Sequence, residues 1–210
     1  MQLSIRERYS RRELERQIDS AYFERFMLSQ NAPQAALSEV HGKTGNIFMD
    51  NYVLEFLDVP EPVAEHDLRN SIIRNLKDFI LEIGKDFTFV GSEYRVQVGN
   101  HDYFIDLLFF QRGLSCLVAF ELKIGEFKPE YISKMNLYLE ALDREIKKEA
   151  ENPSVGVILC AAKDDEVVEF ALSRSLSPTM VSDYTLKLID KALLQKKLKE
   201  YLALSETGEV

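Results

Sequence analysis

The sequence predicts an α/β fold in which a mixed sheet carries helices on both faces. Three strand-like runs follow one another with only short turns between them, which predicts an antiparallel meander. A helix and another apolar strand come next, a pattern typical of a parallel crossover. A periodic helix precedes the meander, so the expected core is αβββαβ with an extra N-terminal helix. The expected helices span 5–29, 62–84, 129–149, 164–174 and 186–203, and the expected strands span 87–98, 103–110, 116–123, 154–161 and 179–182.

The first 60 residues are expected to form an amphipathic helix and a linker. An apolar stripe with a spacing of four residues predicts the helix: Leu14, Ile18, Tyr22 and Phe26. Because such a stripe must be buried, we favour docking on the chain's own core or on a second subunit, with direct nucleic-acid contact as the alternative. Residues 30–60 contain prolines and glycines and little periodicity, which predicts a linker with one short helix near 51–57.

The helix at 62–84 is the clearest in the chain and ends at Gly84. On a helical wheel Glu65 projects near the middle of the apolar face, one turn before the apolar residues begin. It is therefore a candidate to reach over the sheet edge. The alternative is an acid at a helix N-terminus, favoured by the helix dipole alone. Arg69 also projects inward, at the margin of the same face.

Two of the apolar strands each contain an acid. Asp106 lies in the strand at 103–110, and Glu121 lies in the strand at 116–123, two residues before Lys123. Since strand side chains alternate, Glu121 and Lys123 share a face, and a hairpin would bring Asp106 alongside them. An unpaired buried carboxylate is costly, so a cation is expected between the acids. The set fits a divalent-metal phosphodiesterase site, with a plain buried ion pair as the alternative.

Composition excludes several other classes. The two cysteines, Cys116 and Cys160, lie in separate apolar runs, and the three histidines are scattered, which argues against a disulfide framework or a zinc site. No apolar run is long enough to span a membrane, and the charged N-terminus does not resemble a signal peptide, so a cytoplasmic location is expected. A net charge of −9 means that any nucleic-acid contact must use a local basic surface.

The pattern of Asp106 followed by Glu121-Leu122-Lys123 resembles the PD-(D/E)XK nuclease superfamily. A longer and more specific likeness, over roughly residues 50–185, is to the YhcG-type bacterial proteins. It includes Tyr-Phe-Ile-Asp-Leu-Leu-Phe-Phe, Phe-Glu-Leu-Lys-Ile-Gly-Glu-Phe-Lys-Pro-Glu-Tyr and Asn-Pro-Ser-Val-Gly. The resemblance implies a restriction-endonuclease-like fold and a nuclease acting on DNA, in defence or DNA processing. The alternative is a nucleic-acid-binding or dimerisation module that retains the fold without catalysis.

The resemblance also assigns roles by position. It implies Mg²⁺, or Mn²⁺, held by Asp106, Glu121 and the Leu122 carbonyl, with Lys123 polarising the attacking water or the phosphate. It implies an additional helix acid, for which Glu65 is the candidate. One departure is Arg69, at a helix position where an acid is expected.

Contacts to nucleic acid are expected from three basic residues: Arg69, Lys128 and Lys134. Lys134 occupies the place of a glutamine that often stands four residues before a tyrosine in related nucleases. A solvated helix lysine is the alternative interpretation at that position. The implied partners are DNA and a second copy of the chain, since cutting both strands of a duplex needs two sites.

The likeness of the first helix to the end of a separate domain in YhcG-type proteins sets the expected domain boundaries. Residues 1–49 are expected to be the N-terminal helix and linker, a remnant of a preceding domain, most of which is missing from this chain. Residues 50–210 are expected to form the nuclease-like domain.

Overall fold

A computed structural model describes residues 9–29, 47–84, 86–175, 177–188, 190, 192–196 and 198–199. Its strands are β1 (Asn51–Val53), β2 (Phe87–Val98), β3 (His101–Gln111), β4 (Cys116–Glu126), β5 (Val155–Ala162) and β6 (Thr179–Thr185). They form a sheet in the order β1-β6-β5-β4-β3-β2. The pairs β2–β3 and β3–β4 are antiparallel, whereas β4–β5, β5–β6 and β1–β6 are parallel. The predicted meander and the parallel crossover after it are confirmed.

Helices cover both faces of this sheet. They are α1 (Arg11–Asp19), α2 (Tyr22–Ser29), α3 (Glu65–Arg74), α4 (Leu76–Ile83), α5 (Glu130–Ala141) and α6 (Asp165–Leu172). On one face α3 and α4 pack against β3 and β4, with the Phe79 ring 5.9 Å from the rings of both Phe109 and Phe120. On the other face Met135 of α5 and Val168 of α6 belong to a second core. The predicted mixed sheet flanked by helices is therefore confirmed. None of the described helices is both long and apolar enough to span a bilayer.

The prediction of a single N-terminal helix is wrong for the described part of the range 5–29, because α1 and α2 are separated at Ser20 and Ala21. Ala21 adopts a φ of 50°, a left-handed conformation that no helix interior contains. Polar residues take a large part in the face that docks on the domain, since Ser20 and Arg25 are buried, and Tyr22 of the predicted stripe also packs on the core. Leu14 and Ile18 of the predicted apolar stripe are instead 38% and 50% exposed. Residues 5–8 lie outside the described part.

A buried carboxylate on α4 attaches α1 and α2 to the domain. Glu82 is fully buried, and its Oε1 accepts hydrogen bonds from Arg25 Nη1 at 2.6 Å and from the Val53 amide at 2.8 Å. Its Oε2 lies 3.2 Å from Arg16 Nη2. A carboxylate withdrawn from water needs such partners, so the two arginines hold both N-terminal helices on the chain's own core.

The short helix predicted near 51–57 is also wrong, since this stretch begins with strand β1 at the edge of the sheet. Tyr52 and Val53 are fully buried there. The backbone is extended because β6 needs partners on its outer edge: the Leu54 amide donates to the Thr185 carbonyl at 2.8 Å. A three-residue strand offers too little periodicity for its pattern to be recognised.

Two other predicted helices differ in extent. The one at 62–84 is divided at Asn75, whose side-chain amide donates to the Ser71 carbonyl at 2.9 Å and competes with the helical pattern. The one at 129–149 ends earlier, since α5 passes into a single π-helical turn at Leu142–Ile146. The last predicted helix, at 186–203, is helical among described residues at 192–196 and 198–199.

Candidate active site

Asp106 and Glu121 lie on adjacent strands where the β3–β4 pairing ends. The register runs from Gln111 opposite Cys116 to Leu107 opposite Phe120, and the two acids are the next residue on each strand. Beyond that point a side-chain hydrogen bond takes the place of the backbone pairing: Asp106 Oδ2 accepts the backbone N–H of Leu122 at 2.9 Å. This bond ties the carboxylate of Asp106 to the residue that follows Glu121.

Alternation along β4 decides which side chains face the site. Phe120 and Leu122 pack into the core beneath α3 and α4. Glu121 and Lys123 therefore point to the opposite face, toward α5, where the Lys123 ammonium lies 5.4 Å from the centre of the Tyr131 ring. Glu121 and Lys123 are both buried on that face, at 1% and 8% exposure.

Asp106 is paired with a cation from the other helical layer. Arg69 of α3 donates from Nη1 to Asp106 Oδ1 at 3.1 Å, and its Nη2 lies 2.9 Å from Oε1 of Glu93. Arg69 is thus held between two carboxylates rather than facing solvent, since its side chain is only 14% exposed. The structure brings Arg69 into the acidic site itself.

Glu93 is the site residue that the sequence did not indicate. It lies on β2 in a left-handed conformation with φ of 46°, just beyond the bulge between Phe89 and Gly91. A positive φ at a residue with a side chain is costly and directs that side chain away from the regular strand pattern. The sequence signal is the Gly91-Ser92 pair within the strand, because a glycine inside a strand is typical of a bulge, but it does not show which side chain the bulge redirects.

Glu121 has two cations on one oxygen. Its Oε1 lies 2.5 Å from the Lys134 ammonium and 2.9 Å from the Lys123 ammonium. Its Oε2 is buried and has no hydrogen-bond partner within the described part of the chain. Because a buried acceptor without a partner is costly, this oxygen is the position where a ligand from solvent would be stabilised most.

Lys123 is fixed by three groups. Its ammonium lies 2.9 Å from Oε2 of Glu65 and donates to the Leu122 carbonyl at 3.1 Å, in addition to its contact with Glu121. Burial disfavours the charged form, but the charge of Glu121 and the hydrogen bonds that Lys123 donates to Glu65 and Glu121 outweigh it and raise the pKa of Lys123. The structure thus places Glu65, from the start of α3, against Lys123 over the sheet edge.

Lys134 and Lys128 occupy different surroundings. Lys134 lies on α5, with its side chain 45% exposed and its ammonium 5.4 Å from the centre of the Tyr138 ring. Burial opposes the charge of Lys134, yet the hydrogen bond to Glu121 and the charge of Glu121 raise the pKa. Tyr138 donates its hydroxyl to the Phe104 carbonyl at 2.6 Å, which ties α5 to β3. Lys128 is exposed in the connection between β4 and α5.

The donor set suits a hard divalent cation. Asp106, Glu121 and the Leu122 carbonyl supply oxygen ligands, and Mg²⁺ is commonly bound in proteins by one or two carboxylates with retained waters. The partnerless Oε2 of Glu121 is the observation that supports the fit. In the part of the chain that the structure describes, no three His, Cys, Asp or Glu side chains converge as a ligand group. A metal would therefore depend on two carboxylates and a carbonyl.

The chain is similar to known proteins over most of its length. A family model described as the YhcG PDDEXK nuclease domain matches residues 45–199. The Escherichia coli (strain K12) protein named "Putative nuclease YhcG" is 35% identical over 204 residues, which is 95% of this chain and 54% of that protein. The chain thus spans about half the length of this curated relative.

Two solved structures share a weaker similarity. A repair endonuclease from Pyrococcus abyssi aligns at 17% identity and a TM-score of 0.40, over 63% of this chain and 50% of that one. The EndoMS-dsDNA2 complex aligns at 14% identity and a TM-score of 0.38, over 60% of this chain and 46% of that one. Neither similarity assigns a residue or an activity here. From the family model, the chain belongs to the YhcG PDDEXK nuclease domain family.

Proposed function

We propose that this domain hydrolyses phosphodiester bonds of DNA as a nuclease that depends on Mg²⁺ or Mn²⁺. Membership of a nuclease family supports the reaction class. The observation that supports this particular site is the buried Oε2 of Glu121, for which the described residues offer no hydrogen-bond partner, while Oε1 of the same carboxylate contacts two ammonium groups. In this arrangement Oε2 of Glu121 can bind a ligand while Oε1 keeps its contacts with the lysines.

Asp106, Glu121 and the Leu122 carbonyl would hold the metal. A divalent ion bound there would lower the pKa of a bound water and would stabilise the negative charge of the transition state of hydrolysis. The chain's own part is to fix the donors, and the hydrogen bond from the Leu122 amide to Asp106 does so across two strands. Because the site is buried at Glu121 and half-open at Lys134, a phosphate would approach from the side of α5.

Lys123 acts in this proposal as a fixed cation. Its ammonium is held beside the carboxylates of Glu65 and Glu121, so it would donate hydrogen bonds and stabilise negative charge on the phosphate. Glu65 positions it, since the carboxylate of Glu65 lies 2.9 Å from the Lys123 ammonium. A positioned charge in a partly desolvated site stabilises a transition state more than the same charge in water does.

DNA contact is assigned to the basic residues around this site. Arg69, Lys128 and Lys134 are the proposed phosphate contacts, because the chain as a whole carries a net charge of −9 and repels DNA elsewhere. Binding should therefore be local and weaken steeply with salt. A homodimer would supply the two sites that cutting both strands requires.

A second candidate is a non-catalytic module that binds nucleic acid or another subunit. The observation that favours it is the pairing within the site: Arg69 lies on Asp106 and Lys134 lies on Glu121, so both acids are neutralised without a metal. In that case the acids would be structural. Thermal stability separates the two, because a metal that binds only the folded protein stabilises it by mass action, and an inert site gains nothing.

The experiment is cleavage of supercoiled plasmid and of a branched DNA, with Mg²⁺ or Mn²⁺ and with a chelator. The comparison is between the unaltered chain and Lys123→Met, which keeps the length of the side chain without its charge. Metal-dependent cutting that is lost in the variant supports the nuclease. Metal-independent cutting, or equal cutting by both proteins, would contradict it. No cutting together with no stabilisation by either metal would favour the second candidate.

A further inference from the structure

Lys134 differs from Lys123 although both touch the same oxygen of Glu121. Lys123 is 10% exposed in its side chain and contacts Glu65 and the Leu122 carbonyl as well. Lys134 is 45% exposed, and the carboxylate that it contacts is that of Glu121. Its ammonium also lies 5.4 Å from the centre of the Tyr138 ring. Of the two ammonium groups, Lys134 is therefore the more exposed one and the one whose release from Glu121 leaves the pair of Lys123 with Glu65 intact.

The balance of charge at the site indicates why Lys134 should leave Glu121 when a metal binds. Four acids and three cations form two groups of ion pairs: Arg69 with Asp106 and Glu93, and Lys123 and Lys134 with Glu121, where Lys123 also contacts Glu65. The hydrogen bond from the Leu122 amide to Asp106 joins the two strands that carry Asp106 and Glu121. These groups sum to one negative charge, so a divalent ion changes the site to one positive charge. One phosphodiester, with its single negative charge, restores neutrality. A second cation on Glu121 is favourable only while the metal is absent, since like charges within a few ångströms repel.

We propose that Lys134 holds the place of the metal on Glu121, and that metal binding releases it to a DNA phosphate. This inference rests on the proposed nuclease function and adds a coupling to it. Lys134 competes with the metal in the absence of DNA, and in its presence the displaced ammonium binds the phosphate. Because coupling between two ligands is reciprocal, DNA should tighten metal binding by the same factor that metal tightens DNA binding.

The position of Lys134 on α5 is consistent with this exchange. The helix is anchored independently of the ammonium, because Met135 and Leu139 are buried and Tyr138 donates to the Phe104 carbonyl. The lysine side chain can therefore reorient while the helix stays in place. Its half-exposed position faces the side from which a phosphate would approach.

The test uses Lys134→Met, with Lys148→Met as the matched control. Lys148 is an exposed lysine beyond the π-helical turn, so the control removes the same charge far from Glu121 along the chain. Mn²⁺ affinity is measured by calorimetry without DNA. Duplex affinity is measured by fluorescence anisotropy with and without Ca²⁺, on samples shown by gel to remain uncut. Thermal unfolding of each variant checks that it is folded.

Lys134→Met should bind Mn²⁺ at least about tenfold more tightly than the unaltered chain, and Lys148→Met should bind it equally. The gain in DNA affinity caused by Ca²⁺ should be smaller in Lys134→Met than in the control, because the attraction of the ion itself remains and the released ammonium does not. Unchanged or weaker Mn²⁺ binding by Lys134→Met would overturn the competition, and an intact Ca²⁺ effect would overturn the transfer to phosphate. If the unaltered chain binds no Mn²⁺ at all, the proposed nuclease site itself is wrong.

Discussion

The carboxylate of Asp106 accepts the backbone N–H of Leu122 at 2.9 Å, and this one bond joins the two strands that carry the acids of the site. It lies where the regular β3–β4 pairing has ended, after Leu107 and Phe120. Asp106 thus has a structural part as well as its proposed part in metal binding. Substitutions of Asp106 therefore need to distinguish its hydrogen bond to Leu122 from its proposed role in metal binding.

Asp106→Asn and Asp106→Ala should differ in stability. The amide oxygen of asparagine still accepts the Leu122 N–H, but its amide nitrogen then faces Arg69, so this variant loses the charge and the hydrogen bond to Arg69 while it keeps the Leu122 bond. Alanine leaves the Leu122 amide without an acceptor in a largely buried position, at a cost of about 1–3 kcal/mol. The free energy of unfolding in urea should therefore be highest for the unaltered chain, lower for Asp106→Asn and lowest for Asp106→Ala. Equal stability of the two variants would show that the Leu122 bond contributes nothing.

Glu82→Ala should destabilise the chain far more than Glu55→Ala. Glu82 is fully buried between Arg25 and Arg16, and removing it leaves a buried arginine charge without a partner, at a cost of about 3–5 kcal/mol. Glu55 contacts Arg16 as well but is 19% exposed, so its loss should cost about 1 kcal/mol or less. The measurement is the free energy of unfolding in urea.

Limited proteolysis of the same two variants checks what Glu82 holds in place. Cleavage within α1 and α2 should increase for Glu82→Ala and stay unchanged for Glu55→Ala. The same loss of stability in both variants would contradict an anchoring role for the buried carboxylate.

Gly156→Ala should push α5 away from the sheet. A Cβ at Gly156 would lie 2.5 Å from Cγ and 2.6 Å from Sδ of Met135, so the helix or the methionine must move, at a cost of about 1–3 kcal/mol. Gly125→Ala is the control, since no atom lies within 4 Å of its added Cβ. Thermal unfolding should show a loss at position 156 only. Adding Met135→Ala should reduce the cost of the alanine at 156, and full additivity of the two changes would contradict the clash.

Tyr52→Phe should change how stability depends on alkaline pH. Burial raises the pKa of the Tyr52 phenol well above its ordinary value. Above a pH of about 10 the unfolded chain loses this proton first, so Tyr52 contributes stability that falls by about 1.4 kcal/mol per pH unit until its folded pKa is reached. Phenylalanine removes that dependence. The difference in unfolding free energy between the two proteins should be constant from pH 7 to 9 and shrink above 10. A difference in unfolding free energy that stays constant through pH 11 would contradict a raised pKa of Tyr52.

The sequence predicted the elements that follow strong periodicity. The meander of β2, β3 and β4 and the crossover through α5 to β5 follow from alternating or continuous apolar runs with clear turns between them. The two acids on adjacent strands were expected for the same reason. The alternation also placed Lys123 on the face of Glu121, and the structure has their charged groups 2.9 Å apart.

The features that the sequence did not indicate depend on tertiary contacts. β1 is strand because β6 offers it a free edge, and the break at Ala21 exists because α1 and α2 bury polar groups against Glu82. Arg69 was expected to project inward at the margin of its helix face and to contact DNA, and the structure places it between Asp106 and Glu93. No local pattern encodes that position, since it requires a left-handed residue on a neighbouring strand.

The measurement that tests the central claim most directly is single-turnover cleavage of supercoiled plasmid by the unaltered chain and by Glu121→Gln, over a range of Mn²⁺ concentrations. Glutamine preserves the shape of the side chain but withdraws the charge that both lysines contact and that the proposed metal would contact. We expect metal-dependent cleavage by the unaltered chain and a loss on the order of 100-fold or more in the variant at every Mn²⁺ concentration. Cleavage by Glu121→Gln at the rate of the unaltered chain would contradict the assignment of this site.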